Sequence, residues 1–293
     1  MNRRALVLFA LMSVIWGIPY LFIRVAVDEI TPATLVFFRT SIGAAILLPL
    51  ALARTDIRAV LAHWRWIGAF AVVEVAIPWV LLGSAEQHVT SSLAALLVAG
   101  VPLVGTVVAL TTGSRHRVGP TGALGLLLGM TGVAAIVGFD IEGTDPSALV
   151  EIAVVVVGYA VGPAILSRRL ASVPSVAIMA LSLTMCALLY APVAVLQWPN
   201  AVPSFNAIAA IVTLGTVCTA AAFIVFAALI GAVGPVRSTV ITYINPAVAA
   251  LLGVAVLNEP ITVPMLAGFG LVLAGSALAT RAPAEPMAEV APA

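Results

Sequence analysis

Two ionisable side chains interrupt long apolar stretches of this sequence. Glu74 lies near the middle of WIGAFAVVEVAIPWVLLG, and Arg39 lies within PATLVFFRTSIGAAILLPLAL. An ionisable group at that depth of a bilayer costs about 2.5–3.5 kcal/mol on insertion scales, so each should face a cavity or a partner. Glu74 could carry a proton, bind a cation, or serve as a hydrogen-bonded group that holds helices together. Arg39 could pair with Glu74, bind a solute, or extend outward to the membrane surface.

Aromatic and amide side chains extend this set of candidates. Trp16, Tyr20 and Trp79 fall inside apolar stretches, where aromatic rings can line a cavity for apolar or cationic solutes. Tyr243 and Asn245 directly precede a proline, whose missing N–H can free backbone carbonyls toward a cavity. Ordinary packing is the alternative for each of these residues. We therefore predict a site for binding or coupling that is formed by Glu74, Arg39, Trp16, Tyr20, Trp79, Tyr243 and Asn245.

Prolines within apolar stretches predict bent helices. Pro19, Pro102 and Pro246 are the candidates for kinks that take part in gating, and Pro78 and Pro163 are similar. A static kink that serves packing is the alternative. Gly125 with Gly129, and Gly158 with Gly162, have the small-xxx-small spacing that allows close helix packing.

Composition excludes several classes of protein. The chain is 62% hydrophobic and 9% charged, with a mean hydropathy of +1.20, far from a soluble domain. All 13 cationic side chains are arginine, so neither a Walker A loop nor a lysine Schiff base can exist. Cys186 and Cys218 lie in apolar stretches without zinc spacing and are expected to be buried packing residues. We expect no cofactor, no metal and no nucleic-acid partner.

Ten stretches are apolar enough to span a bilayer as helices. The N-terminal stretch is too long for a cleaved signal peptide, and no A-x-A site follows it. With the N-terminus inside, eleven of the thirteen arginines fall in inner loops, which is a strong positive-inside bias. Both termini are therefore predicted to be cytoplasmic. The stretches are 5–27, 32–53, 66–84, 90–111, 118–138, 148–167, 174–196, 205–229, 236–256 and 262–280. The inner arginines are Arg3, Arg4, Arg54, Arg58, Arg65, Arg115, Arg117, Arg168, Arg169, Arg237 and Arg281.

The outer loops hold most of the acidic residues. Glu259 is expected to be a solvated loop charge or a helix cap, and His88 and His116 are expected to be solvated loop histidines. The acids assigned to outer loops are Asp28, Glu29, Glu86, Asp140, Glu142, Asp145 and Glu259.

The sequence repeats itself once. Residues 91–132 and 234–275 each contain an apolar helix with a central proline, a polar turn, and a helix whose glycines are seven apart. Five helices per repeat is an odd number, so the second repeat must enter the membrane from the opposite side. The fold class is therefore all-α and polytopic, with ten transmembrane helices in two inverted five-helix repeats. The predicted boundaries are 1–138, an outer linker 139–147, 148–281, and a disordered cytoplasmic tail 282–293.

These motifs resemble those of EamA-type permeases of the drug/metabolite transporter superfamily. The matching motifs are Trp16-Gly17 with Arg24, Pro32 with Arg39, Ser91-Ser92-x-Ala94-Ala95-Leu96 with Pro102, and Pro246 followed by Asn258-Glu259-Pro260-Ile261-Thr262, Gly268 and Gly275. Two positions depart from the pattern. Arg115 replaces the usual turn glutamate, and Tyr159-Ala160 replaces a pair that begins with Trp. The resemblance implies transport of small molecules, often export, without a nucleotide cofactor.

The sequence thus favours a permease that moves a small amphipathic metabolite, amino acid or drug-like solute by alternating access at the cell membrane. The expected partners are that solute, the lipid bilayer and protons as the candidate coupling ion, and the chain would be a monomer or a homodimer. A channel or a membrane scaffold is the alternative. An intramembrane enzyme is least supported, because no H-E-x-x-H motif exists and the three histidines lie in loops.

Overall fold

The computed structural model describes residues 3–111, 119–139, 145–233 and 239–279, and the elements it assigns there are all helices. In the first half these are α1 (Arg3–Ile15), α2 (Pro19–Val27), α3 (Pro32–Arg54), α4 (Ile57–Leu61), α5 (Trp64–Phe70), a first π-helix (Ala71–Ala76), α6 (Ile77–Ala85), α7 (Ser91–Val98), α8 (Val101–Thr111) and α9 (Pro120–Phe139). In the second half they are α10 (Pro146–Arg169), α11 (Ser175–Leu196), α12 (Phe205–Gly215), a second π-helix (Thr216–Ala221), α13 (Ala222–Val233), a 3₁₀ helix (Thr239–Tyr243), α14 (Asn245–Leu257) and α15 (Val263–Ala279).

Seven helical stretches of the described chain are long and apolar enough to cross a membrane. Three further apolar helices, 120–136, 241–257 and 263–279, are shorter. Together these overlap the ten predicted stretches one for one, and the prediction of an all-helical membrane protein is confirmed. The seven are Arg3–Val27, Pro32–Arg54, Trp64–Ala85, Ser91–Val108, Pro146–Arg169, Ser175–Leu196 and Phe205–Val233.

Some predicted features lie outside the described residues. They are Arg115, His116, Arg117, Asp140, Glu142, Arg237, Arg281, the greater part of the linker 139–147, and the tail 282–293.

Several helices start at a side chain that can accept a hydrogen bond from a free backbone N–H. Thr31 caps α3, Thr90 caps α7, Asp145 caps α10 and Ser204 caps α12. All four caps lie at the end of the molecule that the arginine distribution predicts to face outward, which we call the outer end. The helices there begin at positions fixed by the local sequence.

Most of the predicted bends are interruptions between helices. The chain breaks between α1 and α2 just before Pro19, and between α7 and α8 just before Pro102. Pro246 occupies the first turn of α14 after the 3₁₀ helix, and Pro78 occupies the first turn of α6 after the first π-helix. Proline is well tolerated there, since first-turn N–H groups have no partner within the helix. Pro163 differs, because α10 continues through it.

The third long helical stretch of each half contains a π-helix near its middle. In the first half this is Ala71–Ala76 within Trp64–Ala85, and in the second half it is Thr216–Ala221 within Phe205–Val233. A π-helix adds a residue to the turn, changes which side chains face a neighbour, and is frequent at functional sites. The two π-helices carry Glu74 and Thr219, respectively.

The last helices of the two halves, α9 and α15, pack against each other through the glycines that are seven apart in each repeat. A Cβ atom on Gly125 would collide with the backbone of Gly275, and one on Gly132 would collide with the backbone of Gly268. As the residue number increases along α9, the number of the residue that it contacts on α15 decreases, so the two helices are antiparallel. Only the absence of side chains at these positions allows such close backbone contact.

Candidate functional site

Arg39 on α3 lies where the two halves of the chain meet. Its side chain is 7% exposed, and its Nε donates a hydrogen bond to Thr219 Oγ1 on the second π-helix at 3.0 Å. The guanidinium carbon lies 3.6 Å from the ring centroid of Trp79, which is cation–π geometry. Gly43, one turn further along α3, leaves room for the methyl group of Thr219. Arg39 is thus held by one residue from each half of the chain.

A buried tyrosine and a partly buried one complete this arrangement. Tyr20 on α2 and Tyr159 on α10 lie close enough to Arg39 to feel its charge. The Tyr159 hydroxyl is also within hydrogen-bond reach of the Trp79 side chain. We call Tyr20, Arg39, Trp79, Tyr159 and Thr219 the central cluster. A guanidinium among aromatic rings and hydroxyls can bind a carboxylate or another acceptor of a small solute.

Glu74 does not pair with Arg39. The two side chains form no ion pair within 4.0 Å, and Arg39 donates to Thr219 instead. The Glu74 carboxylate lies against Gly162 of α10, where a Cβ atom would collide with it. Glu74 Oε2 is buried without a hydrogen-bond partner. Of the roles considered for Arg39, a pair with Glu74 is not the arrangement in this structure, in which the Glu74 carboxylate on the first π-helix lies toward α10.

The remaining predicted residues lie elsewhere. Trp16 packs against Phe223 and Phe226 of α13, with ring centroids 6.3 and 4.7 Å away. When the side-chain amide of Asn245 is oriented so that its oxygen and nitrogen both have suitable partners, its nitrogen donates a hydrogen bond to the carbonyl of Ser13 at 3.1 Å. This bond joins α14 to α1. Tyr243 lies two residues before Asn245, at the end of the 3₁₀ helix. Of the seven predicted site residues, the structure brings Tyr20, Arg39 and Trp79 together.

Carboxylates cap helices of the opposite half at the outer end. Glu259 accepts hydrogen bonds from the backbone N–H groups of Ser91 and Ser92 at 2.8 and 2.9 Å, and from Ser92 Oγ at 2.5 Å. Asn258 directs it there by ending α14 in a left-handed conformation, φ 54°. We call this arrangement the Glu259 latch. Of the two roles expected for Glu259, the structure shows the helix cap.

Glu29 makes a second contact of the same kind. It accepts from the N–H of Ser204 at 2.6 Å and from its Oγ at 2.5 Å, at the start of α12. These hydrogen bonds from Ser204 lower the pKa of Glu29. Thr31 adds a hydrogen bond of 2.7 Å to Gln197 from the neighbouring loop. Hydrogen bonds between the two halves therefore hold the outer end together.

Glu86 and Glu151 are a buried and a partly buried acid that the sequence did not single out as site residues. Glu86 was expected in an outer loop, and it is 0% exposed with no hydrogen-bond partner for either carboxyl oxygen. Glu151 accepts a hydrogen bond from Ser84 Oγ at 2.9 Å, while its Oε2 is buried without a partner. Glu151 could have been noticed, because it lies inside an apolar stretch. The burial of Glu86 depends on contacts that local sequence does not reveal.

Most of the central cluster is buried in this structure. Tyr20, Arg39 and Trp79 are 8%, 7% and 7% exposed, Thr219 is fully buried, and Tyr159 is partly buried. A recess of about 410 Å³ between α3 and α11 is almost entirely apolar. A second recess, of about 480 Å³, lies at the outer end beside Arg24, His88 and Glu259. Neither of these two recesses is lined by Arg39 or Glu74.

The two cysteines are free and buried, as predicted. In the described part of the chain, no group of three or more His, Cys, Asp and Glu side chains could hold a metal ion.

The fold is similar to that of a solved crystal structure whose title describes it only as a protein. The two chains share 23% sequence identity with a TM-score of 0.65, over 96% of this chain and 97% of the other. At that identity the similarity establishes the fold alone. Among curated proteins, none matches this chain in sequence.

The sequence model of the EamA-like transporter family matches twice, over residues 3–138 and 147–281. These two matches cover nearly the whole described chain and confirm the resemblance seen in the sequence motifs. The protein is a multi-pass membrane protein with two EamA repeats, and it belongs to the EamA-like transporter family.

Proposed function

We propose that this protein is a secondary carrier that moves a small amphipathic solute through the central cluster by alternating access. The observation that carries the proposal is the Arg39–Thr219 hydrogen bond. It joins α3 of the first repeat to the π-helix of the second repeat. A polar site at the junction of two repeats is where carriers of this architecture bind their solutes. Movement of one repeat against the other would change the site directly.

The glycine contacts between α9 and α15 support ten membrane crossings in two inverted repeats. Gly125 and Gly268 are equivalent positions of the two repeats, as are Gly132 and Gly275. Gly125 contacts Gly275, and Gly132 contacts Gly268. Exchanging each glycine for its equivalent in the other repeat converts the first contact into the second. Such reciprocal contacts characterise a two-fold relation. Because the two helices are antiparallel, the axis would run along the membrane plane, as in an inverted repeat.

The composition of the central cluster supports a small solute with one anionic or strongly polar group and an apolar body. Arg39 supplies the positive charge, while Tyr20, Trp79 and Tyr159 supply aromatic surface. Hydrophobic amino acids fit this description, and drug-like cations would rely on the aromatic rings and a carboxylate such as Glu74. A nucleotide with several phosphates fits poorly, because Arg39 is the only buried guanidinium in the described chain.

The closed outer end supports alternating access. Hydrogen bonds to Glu259 and Glu29 tie the two repeats together there, and Tyr20, Arg39, Trp79 and Thr219 of the central cluster are buried. An outward-open state would require these contacts to separate. The direction favoured is export, the membrane is the cell membrane with both termini cytoplasmic, and the coupling ion is a proton carried by Glu74. The breaks before Pro19, Pro102 and Pro246 are the hinges proposed for this movement.

Counterflow in liposomes tests the proposal. The purified protein would be reconstituted into vesicles loaded with unlabelled leucine or ethidium, and entry of the labelled compound would be measured. A carrier gives saturable entry that unlabelled compound on the other side accelerates, and Arg39→Ala abolishes it. Excretion screening of cells that overproduce the protein, compared with cells that produce Arg39→Ala, would identify the natural solute.

The alternatives give different results in the same vesicles. A channel would carry an ohmic current without acceleration by unlabelled solute. A scaffold would give neither flux nor current in the vesicles, including when the compounds identified by the excretion screen are tested there. An intramembrane enzyme would convert the solute chemically, which mass spectrometry of the vesicle contents would detect.

A further inference from the structure

Glu86 is a buried acid for which the proposed carrier mechanism has no use so far. It follows α6 directly, it is 0% exposed, and neither carboxyl oxygen has a hydrogen-bond partner. A charged carboxylate in such surroundings would lose its hydration without compensation, which costs several kcal/mol. The neutral, protonated form is therefore the form that this environment stabilises.

The charges around Glu86 come from four parts of the structure. Arg24 is the nearest cation, but its Nη1 donates to the backbone carbonyl of Glu86 at 2.6 Å and lies 3.2 Å from Asp28 Oδ1. Burial, followed by the negative charge of Glu259, raises the pKa of Glu86, while Arg24 and Arg39 lower it. The titratable and charged groups that face Glu86 are Tyr20 and Arg24 from α2, Arg39 from α3, Tyr159 from α10, and Glu259 from the turn after α14.

Glu86 also begins the loop that the Glu259 latch holds in place. Residues 86–90 connect α6 to α7, and Glu259 binds the first two residues of α7. The same loop lines the recess at the outer end, where Gln87, His88 and Thr90 line the walls together with Glu259. Release of Glu259 from α7 would free this loop and expose Glu86 to water from the outer side.

We propose that Glu86 is a proton-binding site whose occupancy is linked to closure of the outer end. While the Glu259 latch is closed, the Glu86 carboxyl group holds a proton. When the latch opens, water reaches the group, the proton leaves to the outer solution, and the carboxylate becomes hydrated. Closing the latch again requires Glu86 to take a proton back from water. The inference rests on the proposed function, since it assumes that the outer end opens during transport.

The linkage has a definite sign. The closed state binds one proton more than the open state at any pH between the ordinary pKa of a glutamate and the higher value of the closed state. Raising the pH through this interval therefore shifts the equilibrium toward the open state. The shift is about tenfold for each pH unit within the interval. Below the interval both states are protonated, and pH has no effect through Glu86.

Cysteine accessibility at the outer end measures this equilibrium without any solute. The full-length chain in lipid nanodiscs would carry Val89→Cys, at a residue that is 8% exposed in the closed state, with Cys186 and Cys218 replaced by alanine. The measured quantity is the rate of reaction with a polar methanethiosulfonate between pH 5.5 and pH 8. Val202→Cys, at a residue 87% exposed in an outer loop, gives the rate of a freely accessible thiol at each pH.

The expected result is a normalised rate that rises at least about tenfold across this range. Glu86→Gln should make it independent of pH and keep it at the low value, while Asp145→Asn, which alters an exposed acid at the same end, should leave the rise intact. Glu259→Gln should raise the rate at pH 5.5 and thus tests the latch even if Glu86→Gln folds poorly. Loss of the infrared band of a protonated carboxyl group in Glu86→Gln would identify the proton directly.

An unchanged pH profile in a folded Glu86→Gln protein, or a flat profile in the parent chain, would overturn the inference. Counterflow of labelled leucine or ethidium in vesicles containing the same variants separates this outcome from failure of the carrier proposal. If the outer end opens with pH but no solute is carried, the proton-site proposal stands and the carrier proposal fails. If solute is carried but the accessibility of the outer end does not depend on pH, the carrier proposal stands and the proton-site proposal fails.

Discussion

Glu259 of the second repeat binds Ser92 of the first through one carboxylate oxygen, Oε2, which accepts hydrogen bonds from the N–H and the Oγ of Ser92 at 2.9 and 2.5 Å. The carboxylate thereby satisfies free N–H groups at the start of α7 and faces the positive end of that helix. The contact joins residues 167 positions apart in the chain. It makes the position of α7 depend on the turn that follows α14.

Removing the charge of Glu259 should loosen this contact. Hydrogen bonds to a charged group are worth about 1.5–3 kcal/mol, so Glu259→Gln should lower the apparent Tm in detergent by about 3–10 °C. Gly253→Ala should act in the same direction, because a Cβ there would collide with Ser92 Oγ and the Glu259 carboxylate. Asp145→Asn is the matched control and retains a residue that can cap a helix. Equal Tm values for Glu259→Gln and Asp145→Asn would contradict a structural role for the latch.

The packing of α9 on α15 predicts opposite results for two glycines on one helix. A Cβ at Gly268 would lie 2.7 Å from the Gly132 carbonyl and 2.6 Å from Ile136, whereas nothing lies within 4 Å of one at Gly270. Gly268→Ala should therefore cost about 1–3 kcal/mol through overpacking. Gly270→Ala should be neutral or stabilising by about 0.5–1 kcal/mol. Thermal unfolding of both variants decides the point, and a stable Gly268→Ala protein would show that the helices are less closely packed.

Arg39 should be more sensitive to substitution than another arginine that also stacks on tryptophan. Lysine at position 39 keeps a charge but loses the planar group that contacts Trp79 and donates to Thr219. We expect Arg39→Lys to reduce counterflow at least about tenfold, which corresponds to about 1.4 kcal/mol. Thr219→Val should reduce it as well, because it leaves Nε without an acceptor.

Arg169 provides the control for this prediction. Its guanidinium carbon lies 4.6 Å from the ring centroid of Trp66, but Arg169 is exposed and far from the central cluster. Arg169→Lys should leave counterflow within about twofold of the parent, since exposed contacts of this kind contribute about 0.5–1 kcal/mol to stability and none to the site. Equal losses in Arg39→Lys and Arg169→Lys would argue against solute binding at Arg39.

Some features of the fold and of the site depend on local sequence patterns, and others depend on contacts with the opposite repeat. Apolar stretches predicted the helices, and the small-xxx-small spacing predicted close packing at Gly125 and at Gly162, because both follow from composition and helical period. That the partner of α9 is α15 was not predicted. The direction of Glu74 could not be predicted in this way, since it lies on a π-helix that departs from the 3.6-residue period. The burial of Glu86 and the partner of Glu259 depend on the opposite repeat, which a single local pattern cannot reveal.

Glu74 remains the candidate coupling residue, and its surroundings allow a specific test. Glu74→Gln should abolish the acceleration of uptake by a pH gradient while sparing counterflow, because the amide cannot carry a proton. Gly162→Ala should disturb the same response, since a Cβ there would collide with the carboxylate. Gly105→Ala, where nothing lies within 4 Å, is the control. Uptake with the same pH dependence in Glu74→Gln as in the parent would remove Glu74 from the coupling mechanism.

The contact between Glu29 and Ser204 predicts how stability at the outer end changes with pH. The hydrogen bonds from Ser204 hold the pKa of Glu29 below its usual value of about 4.3, so the unfolded chain binds more protons than the folded chain in this range. Stability from this contact is thus fully present above the usual value and is lost as the pH falls through the lowered one. The apparent Tm should decrease between about pH 6 and about pH 3.

Variants of the two partners isolate this contribution. Ser204→Ala and Glu29→Gln should each flatten the decrease in apparent Tm, and the double variant should flatten it no further, because both remove the same interaction. Asp145 also has a lowered pKa, through hydrogen bonds from Ser147, so Asp145→Asn should remove a separate part of the slope. A slope that changes with Asp145→Asn but not with Glu29→Gln would show that Glu29 leaves Ser204 in the membrane-embedded protein and that Thr31 and Gln197 hold this part of the outer end instead.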